Sequence, residues 1–377
     1  MVLARVGRTP FARSPEQLAW SSLLQAVGCL SRREVILDRI NTVAGAVGAD
    51  QLGRVLAHEH VFAVQEDFRL NYLRDWDETA EIDRAVETLT RVKQSGIDTI
   101  MDVSVLGIGR DIERVAKVAE RVDLNIVAAT GVFTFNDLPF QLHYTGPGLG
   151  FDVDDPLDEM LTRDITEGIG TTSIKAGFLV CVLESEGLTP GVERVMRSVG
   201  RVAAATGIGV VVHTNPHTQS GLVAQRVLAE EGVDLTRVML AHSGDSTDVD
   251  YLMRIADAGS IIGMDRFGLD LLLPYGDRLA TLLTMLEHGY ADRMVLSQDA
   301  FCVSDWFDAT AMTHVGDWDF FQVTGRVIPD LRASGVAETA IESMLVDVPA
   351  RLLSPGVHAD LVDLHPEKTG LSPENRA

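Results

Sequence analysis

The chain has 377 residues, of which 46% are hydrophobic, and this length allows one large α/β domain or two ordinary ones. A formal net charge of −23 disfavours nucleic acids and anionic membranes as partners, because an acidic surface repels both. The three cysteines, Cys29, Cys181 and Cys302, are too few and too far apart for a disulfide framework. We therefore predict a cytoplasmic protein with no nucleic-acid or membrane partner.

Residues 1–39 predict an N-terminal extension. Basic residues precede the mildly apolar stretch Leu18–Leu30, an arrangement that resembles a signal peptide in outline. Polar residues such as Gln25 interrupt that stretch, however, and no Ala-x-Ala cleavage site follows it. We therefore interpret residues 1–39 as a disordered extension of the folded part.

From Arg54 onward, short apolar runs alternate with amphipathic segments. The runs predict eight strands, which are Val55–His58, Thr99–Val103, Asn125–Thr130, Thr172–Lys175, Gly209–His213, Val238–His242, Ser260–Met264 and Met294–Ser297. The segments predict helices over Glu78–Ser95, Ile112–Val122, Pro156–Ile169, Val192–Thr206, Leu222–Glu231, Val249–Ala258 and Arg278–His288. Several strands are apolar at consecutive positions, which is typical of a parallel sheet that is buried on both faces.

Eight strands with intervening helices favour an α/β fold of the (β/α)8 TIM barrel type, with one catalytic domain over residues 40–353. The alternative is a doubly wound open sheet, which gathers its site at one switch point. Two short glycine-bounded runs within Ile40–Gly53 predict a hairpin under the barrel. Residues 354–377 are polar and rich in proline, so we predict a frayed C-terminal tail.

The motif His58-Glu59-His60 ends the first predicted strand. Residues i and i+2 of a strand point to the same face, so both imidazoles leave one side of the strand together. Four later residues also end apolar runs, and these are Lys175, His213, His242 and Asp299. Each alone has an ordinary explanation, such as a hydrogen-bonded core histidine, a paired lysine or a helix-capping aspartate. Together they predict a metal site, because barrel enzymes place their sites at the carboxyl ends of strands.

These motifs resemble the phosphotriesterase family of the amidohydrolase superfamily. The stretches that carry the resemblance are Leu56–Val61, Ala128–Gly131, Ile174–Gly177, Val212–Thr214 and Ala241–Asp245. A further stretch, Ile262–Asp270, resembles the phosphotriesterase-like lactonases in particular. The resemblance runs from about residue 40 to residue 353 and does not cover the N-terminal extension.

The resemblance implies a binuclear centre of divalent metal ions, with zinc as the first choice and cobalt, manganese or iron as alternatives. Three residues would hold a buried ion, namely His58, His60 and Asp299. Two others would hold an exposed ion, namely His213 and His242. Lys175 would bridge the ions as a carbamate, together with a hydroxide. Two cations ~3.5–4 Å apart lower the pKa of bound water, so that hydroxide forms at neutral pH. Asp299 would then carry the proton away.

Three further residues are predicted to bind substrate. Phe133 stands where lactonases of the family have a tyrosine, and it makes the pocket more apolar. Arg266 follows the seventh strand and lines the pocket in lactonase relatives, with an ion pair to Asp265 or Asp270 as the alternative. Trp306 matches a tryptophan that lies near both the pocket and a dimer contact in lactonases, so we expect a homodimer.

The resemblance implies hydrolysis of a lactone, with N-acyl-homoserine lactones as candidates, and a slower phosphotriesterase (aryldialkylphosphatase) activity. Hydrolysis of an amide or of another carboxylic ester on the same metal centre is the first alternative. A catalytically silent metal-binding protein is the second, which the complete ligand set disfavours. The sequence therefore predicts a zinc-dependent hydrolase that acts on a small-molecule ester.

Overall fold

The computed structural model describes residues 39–307, 315 and 318–356. The predicted extension over residues 1–39 and the predicted tail over residues 354–377 therefore lie almost wholly outside the described residues. The described part begins with a two-stranded antiparallel hairpin of β1 (Arg39–Thr42) and β2 (Gly45–Gly48). This hairpin lies within the predicted range Ile40–Gly53 and extends one residue before it.

Nine parallel strands follow and form one sheet, in the spatial order β10-β9-β8-β7-β6-β5-β4-β3-β11. The strands are β3 (Val55–Ala63), β4 (Thr99–Asp102), β5 (Asn125–Gly131), β6 (Phe178–Leu183), β7 (Gly209–Thr214), β8 (Val238–Ala241), β9 (Ile261–Met264), β10 (Met294–Leu296) and β11 (Phe301–Ser304). The two ends of the sheet meet where the Asp299 amide donates to the His58 carbonyl at 3.0 Å and the His60 amide donates to the Ala300 carbonyl at 2.8 Å. The sheet thus closes as a (β/α)8 barrel, as predicted, with β10 and β11 as two halves of the eighth strand.

Helices connect the strands around the outside of the barrel. They are α1 (Glu66–Tyr72), α2 (Glu78–Gln94), α3 (Ile112–Ala119), α4 (Phe140–His143), α5 (Pro156–Thr166), α6 (Pro190–Thr206), α7 (Ser220–Glu230), α8 (Val249–Asp257), α9 (Tyr275–Glu287), α10 (Ile328–Ala333), α11 (Glu338–Glu342) and α12 (Val348–Leu353). Several begin where a side chain accepts hydrogen bonds from the first free amides, as Asp77 does for α2 and Asp155 for α5. Among the described residues, none of the helices has the length and apolar character of a membrane span.

The side chains of the barrel strands alternate between two apolar cores. In β6, Phe178 and Val180 belong to a cluster inside the barrel, whereas Leu179, Cys181 and Leu183 belong to a larger cluster between the sheet and the helices. Both clusters are buried, so the strands are apolar at consecutive positions, as expected for a covered parallel sheet. Because inward positions of all strands point at one axis, polar side chains at their carboxyl ends converge above the inner core.

The predicted fourth strand, Thr172–Lys175, is wrong. Those residues form a turn, in which the Ile169 amide donates to the Ile174 carbonyl at 2.8 Å. The fourth strand of the barrel is β6 (Phe178–Leu183), whose six consecutive apolar residues are all buried. The β-prone residues of Thr172–Lys175 misled the prediction, because a short run of this kind also suits a turn that leads into a strand. Lys175 consequently precedes its strand instead of ending it.

Candidate metal centre

Five of the six predicted metal ligands lie together at the carboxyl end of the barrel. Two come from β3 and one from β7, one directly follows β8, and one lies three residues after the end of β10. They are His58, His60, His213, His242 and Asp299, and none is more than 9% exposed. The predicted convergence of strand ends is therefore correct for these five side chains.

Asp299 lies at the centre of this group. Its Oδ1 atom is 3.3 Å from the Nε2 atoms of both His58 and His60, and its Oδ2 atom is 3.9 Å from Nε2 of His242. Ligand atoms of His58, His242 and Asp299 all lie within 4.8 Å of one another. Because zinc–nitrogen and zinc–oxygen bonds are ~2.0–2.2 Å long, two ligands of one ion lie roughly 3–3.5 Å apart. The donor set therefore fits a divalent metal ion.

Hydrogen bonds fix the tautomers of three of the histidines. Asp265 accepts from Nδ1 of His58 at 3.0 Å and from Nδ1 of His242 at 3.2 Å. Ser104 Oγ lies 2.9 Å from Nδ1 of His60 and donates its own proton to a backbone carbonyl, so it must accept from the imidazole. In the neutral form of each ring, Nε2 thus has the free lone pair that a metal ligand requires, and it points into the site.

The fourth histidine is turned the other way. Glu184, which directly follows β6, accepts from Nε2 of His213 at 3.3 Å and from the Asn215 side-chain amide at 2.8 Å. The hydrogen bond from His213 holds the pKa of Glu184 down at about 2, while burial, with His242 beside it, lowers the pKa of His213 to about 3. Nδ1 of His213 therefore faces Nε2 of His242 at 3.0 Å. Two lone pairs at this distance repel unless a proton or a cation lies between them.

The buried charges of the site stabilise the ionised form of Asp299. Burial alone would lower the pKa of His58, but the Asp299 and Asp265 carboxylates outweigh burial and raise that pKa to about 10. Burial would likewise raise the pKa of Asp299, yet His58 and Arg266 hold it well below its ordinary value. The pocket thus keeps its carboxylates ionised through the positive charge that lies beside them.

Two of the ligands have a strained backbone. His242 has φ = 66° and Asp299 has φ = 58°, both in the left-handed region that non-glycine residues rarely adopt. Among the described residues, Gln219 is the only other non-glycine residue with positive φ. Such strain concentrates at functional sites, where the surrounding structure holds a side chain in an otherwise unfavourable position. Here it aims two ligands at the same point.

Lys175 does not belong to this site. It lies three residues before β6 begins, whereas the five ligands lie at the carboxyl ends of the strands. The neighbouring Ala176 carbonyl accepts from the side-chain amide of Asn41, in the hairpin at the opposite end of the barrel, at 3.1 Å. The predicted bridging role of Lys175 is therefore wrong. The residue that β6 directs into the cavity beside the ligands is Val180, which is 3% exposed.

The three predicted substrate-binding residues all line the cavity above the ligands. The Phe133 ring is 5.3 Å from the His213 ring, and the Trp306 ring is 5.2 Å from the His60 ring. Most of the remaining wall is apolar and consists of Val103, Ile108, Val180 and Val211. The cavity therefore presents a polar, ligand-rich base and apolar sides.

Arg266 lines the cavity and also forms ion pairs, but not with the carboxylates that were predicted. Its Nε atom donates to Asp299 Oδ2 at 2.8 Å, and its Nη1 atom donates to Asp245 Oδ2 at 3.1 Å. Asp265 instead accepts from histidines, and Asp270 is exposed on the following loop. The two carboxylates hold the guanidinium in place beside the metal ligands.

Sequence reasoning missed the groups that orient the ligands. Asp265 directly follows β9, Glu184 directly follows β6, and Ser104 lies two residues beyond β4. Each is a polar residue close behind an apolar strand, at the same end of the barrel as the metal ligands. A polar residue directly behind an apolar strand is therefore the sequence signal that marks these groups as well as the histidines.

Glu59 has a different role from the histidines that flank it. It points away from the site, is fully buried, and joins β3 to the eighth strand. Its carboxylate accepts from Ser297 Oγ at 2.6 Å, from the Gln298 amide at 3.1 Å and side chain at 2.7 Å, and from the Ala300 amide at 2.8 Å. Burial raises the pKa of Glu59 to about 8 against these bonds. We refer to Glu59 and these three partners as the seam cluster.

The fold and the site define a (β/α)8 barrel protein with a buried histidine–aspartate cluster that could bind metal at the carboxyl ends of its strands. The family model of the phosphotriesterase family matches residues 38–353. The chain therefore belongs to the phosphotriesterase family, as the sequence motifs predicted.

Named relatives agree with this assignment. The phosphotriesterase homology protein of Mycobacterium tuberculosis (strain H37Rv) is 44% identical over 321 residues, which cover 84% of this chain and 98% of that protein. An aryldialkylphosphatase of Saccharolobus solfataricus is 35% identical over 312 residues, with coverages of 82% and 97%. An N-acetyltaurine hydrolase of Dictyostelium discoideum is 22% identical, with coverages of 84% and 98%. The solved structure of the phosphotriesterase from M. tuberculosis superposes with a TM-score of 0.82 at 44% identity, covering 84% of this chain and 98% of that one.

Proposed function

We propose that this chain is a metal-dependent hydrolase that acts on lactones first and on phosphotriesters more slowly. The observation that carries the proposal is the cluster of five buried donors beneath an apolar cavity, in which three histidines direct Nε2 into the site. The kinship with an aryldialkylphosphatase supports the phosphotriester part. The resemblance of the stretch Ile262–Asp270 to lactonases supports the lactone part.

The chemistry follows from the groups at the base of the cavity. The donors available to metal at this site are His58, His60, His213, His242 and Asp299. Nitrogen and oxygen donors of this kind suit zinc first, with cobalt, manganese or iron as alternatives. A bound divalent metal lowers the pKa of a coordinated water, so that a hydroxide nucleophile is available at neutral pH.

The protein's own residues position the reaction. Asp299 accepts the proton that the attacking water loses, because its carboxylate lies among the donors and is held ionised. Arg266 keeps that carboxylate oriented through its 2.8 Å hydrogen bond. Phe133 and Trp306 form apolar walls that hold the alkyl part of the substrate and exclude bulk water from the ester bond. A planar ester carbonyl and a tetrahedral phosphoryl group can both approach the same base of the cavity.

A second candidate is hydrolysis of an amide or of another carboxylic ester. The kinship with N-acetyltaurine hydrolases favours it, since those relatives are named for an amide substrate. The same nucleophile attacks an ester or an amide carbonyl, so the metal donors do not distinguish the two reactions. The five intact donors argue against a catalytically silent protein.

A substrate panel tests the proposal. The zinc-loaded and cobalt-loaded proteins should hydrolyse lactones with the highest kcat/KM, phosphotriesters with a lower value, and amides more slowly still. The matched control is Asp299→Asn, which should lose turnover of all substrates while keeping the fold by circular dichroism. A higher kcat/KM for amides than for lactones would replace the lactone proposal with the second candidate. Turnover that survives complete chelation would refute both.

We also propose a cytoplasmic location and a homodimer. The described cysteines, Cys181 and Cys302, are both unpaired and buried, which suits a reducing compartment. Large apolar side chains are exposed in the segment after β5, where Phe140 is 74% exposed and Phe151 is 67% exposed. Exposed apolar residues of this size are typical of contact surfaces between proteins. Sedimentation of the purified protein tests the dimer.

A further inference from the structure

The fourth strand of the barrel brings no charged group into the metal centre. Of the described residues that line the cavity, β6 contributes Val180, a buried apolar side chain. The carboxylate nearest to this strand, Glu184, is engaged by the Nε2 atom of His213 and by Asn215. The anionic bridge expected between two metal ions is therefore missing from the position where the fold would present it.

The charges that remain suit one divalent ion better than two. Asp299 is the carboxylate whose oxygens face the Nε2 atoms of the histidines, because Asp265 is turned towards their Nδ1 atoms. Coulomb repulsion grows with the product of the charges, so two adjacent divalent ions need an anion between them. Within the described part of the chain, Asp299 is the only carboxylate placed between the two potential ion positions. One of its two oxygens already accepts a hydrogen bond from the protein.

Arg266 is the donor to that oxygen. Its Nε atom is 2.8 Å from Asp299 Oδ2, while Asp299 Oδ1 stays 3.3 Å from Nε2 of both His58 and His60. A guanidinium carries a permanent positive charge, and here two buried carboxylates hold it in place. The site thus has one free carboxylate oxygen, with two imidazoles around it, and a fixed cation on the other side.

We propose that this chain holds a single divalent metal ion, on His58, His60 and Asp299 Oδ1, and that Arg266 supplies the second positive charge of the centre. His213 and His242 then lie outside the ligand set of this ion, with their facing nitrogens 3.0 Å apart. This inference rests on the proposed function, because it concerns the metal that the proposed hydrolysis uses.

Metal content is the direct test. The full-length protein is incubated with excess zinc and bicarbonate, desalted, and analysed by mass spectrometry for zinc per chain. We expect about one ion per chain, and two ions per chain would overturn the inference. The manganese-loaded protein gives an independent result by electron paramagnetic resonance. An isolated Mn²⁺ spectrum agrees with one ion, and an exchange-coupled pair refutes it.

A gain-of-site variant tests the physical reason. Val180→Lys places an amine where a carbamate can form, and with bicarbonate it should raise the zinc content from one to two ions per chain. The matched control is Val180→Met, which has a similar length without the amine and should stay at one. Carbon-13 bicarbonate shows by NMR whether the carbamate has formed. A folded, carbamylated Val180→Lys protein that stays at one ion would overturn the reasoning.

The failure of this inference is distinct from that of the proposed function. Two ions in an active wild-type protein would overturn the single-ion centre and leave a metal-dependent hydrolase. Turnover without any bound metal would instead refute the hydrolase proposal itself. Should Val180→Lys fail to fold by circular dichroism, the zinc content and the manganese spectrum of the wild type still decide.

Discussion

Asp265 orients two of the candidate metal ligands at once, and its replacement by asparagine should weaken metal binding strongly. Oδ1 of Asp265 accepts from the backbone and the ring of His242, at 2.8 and 3.2 Å, and Oδ2 accepts from the ring of His58 at 3.0 Å. An asparagine would keep its oxygen where two donors point. Its NH₂ group would therefore face Nδ1 of His58.

That exchange changes the tautomer of His58. Nδ1 would accept from the new NH₂ group, so the ring proton would move to Nε2, which faces Asp299. A protonated Nε2 has no lone pair for a metal. Loss of an orienting partner typically costs 10- to 100-fold in metal affinity, and a change of tautomer belongs at the upper end. We expect a loss of about 100-fold, which corresponds to about 2.7 kcal/mol.

The assay is competition for zinc between the protein and a chromophoric chelator. Asp270→Asn is the matched control, because it makes the same chemical change at an exposed position of the loop that follows β9. Circular dichroism of both metal-free variants checks that the fold is intact. A zinc affinity of Asp265→Asn within threefold of the wild type would refute the argument that Asp265 sets the tautomer.

Three further variants test other parts of the structure. Glu59→Ala removes the acceptor of four hydrogen bonds in the seam cluster, so urea unfolding should show a loss of roughly 3 kcal/mol or more; an unchanged midpoint would contradict this role. Lys175→Ala should leave the zinc content unchanged, and loss of metal would restore the bridging role rejected above. Phe133→Tyr adds a donor beside His213 and should raise kcat/KM for lactones by roughly five- to tenfold, about 1–1.5 kcal/mol, without an equal gain for phosphotriesters.

Much of the barrel could be predicted because its strands are buried on both faces. Runs such as Gly209–His213 and Asn125–Thr130 are apolar at successive positions, and both observed strands end within one residue of the prediction. Helix limits were also close, as for Glu78–Ser95 against an observed Glu78–Gln94, since the capping residue Asp77 marks the start. These signals are local, and a local pattern is what a single sequence displays.

The error at the fourth strand shows where local reasoning fails. Thr172–Lys175 and Phe178–Leu183 both have strand character, and the chain between them is only two residues long. Choosing the first run placed Lys175 at a strand end and made it appear to be a ligand. The second run has six buried apolar residues and ends directly before Glu184, which contacts His213. The choice depended on which run reaches the barrel axis, a tertiary property that spacing along the chain does not encode.

The position of Asp299 would couple metal binding at the proposed site to the integrity of the barrel. Asp299 lies in the break between β10 and β11, where its amide donates to the His58 carbonyl and thereby joins the last strand to the first. A metal ion held by His58, His60 and Asp299 would cross-link the first and last strands at this junction. Contacts between segments so distant in sequence cost the most entropy to form. The metal cross-link would therefore add most to the stability of the junction between β3 and the eighth strand. Chelation should therefore accelerate amide hydrogen exchange first in β3 and β11, ahead of strands on the far side of the barrel.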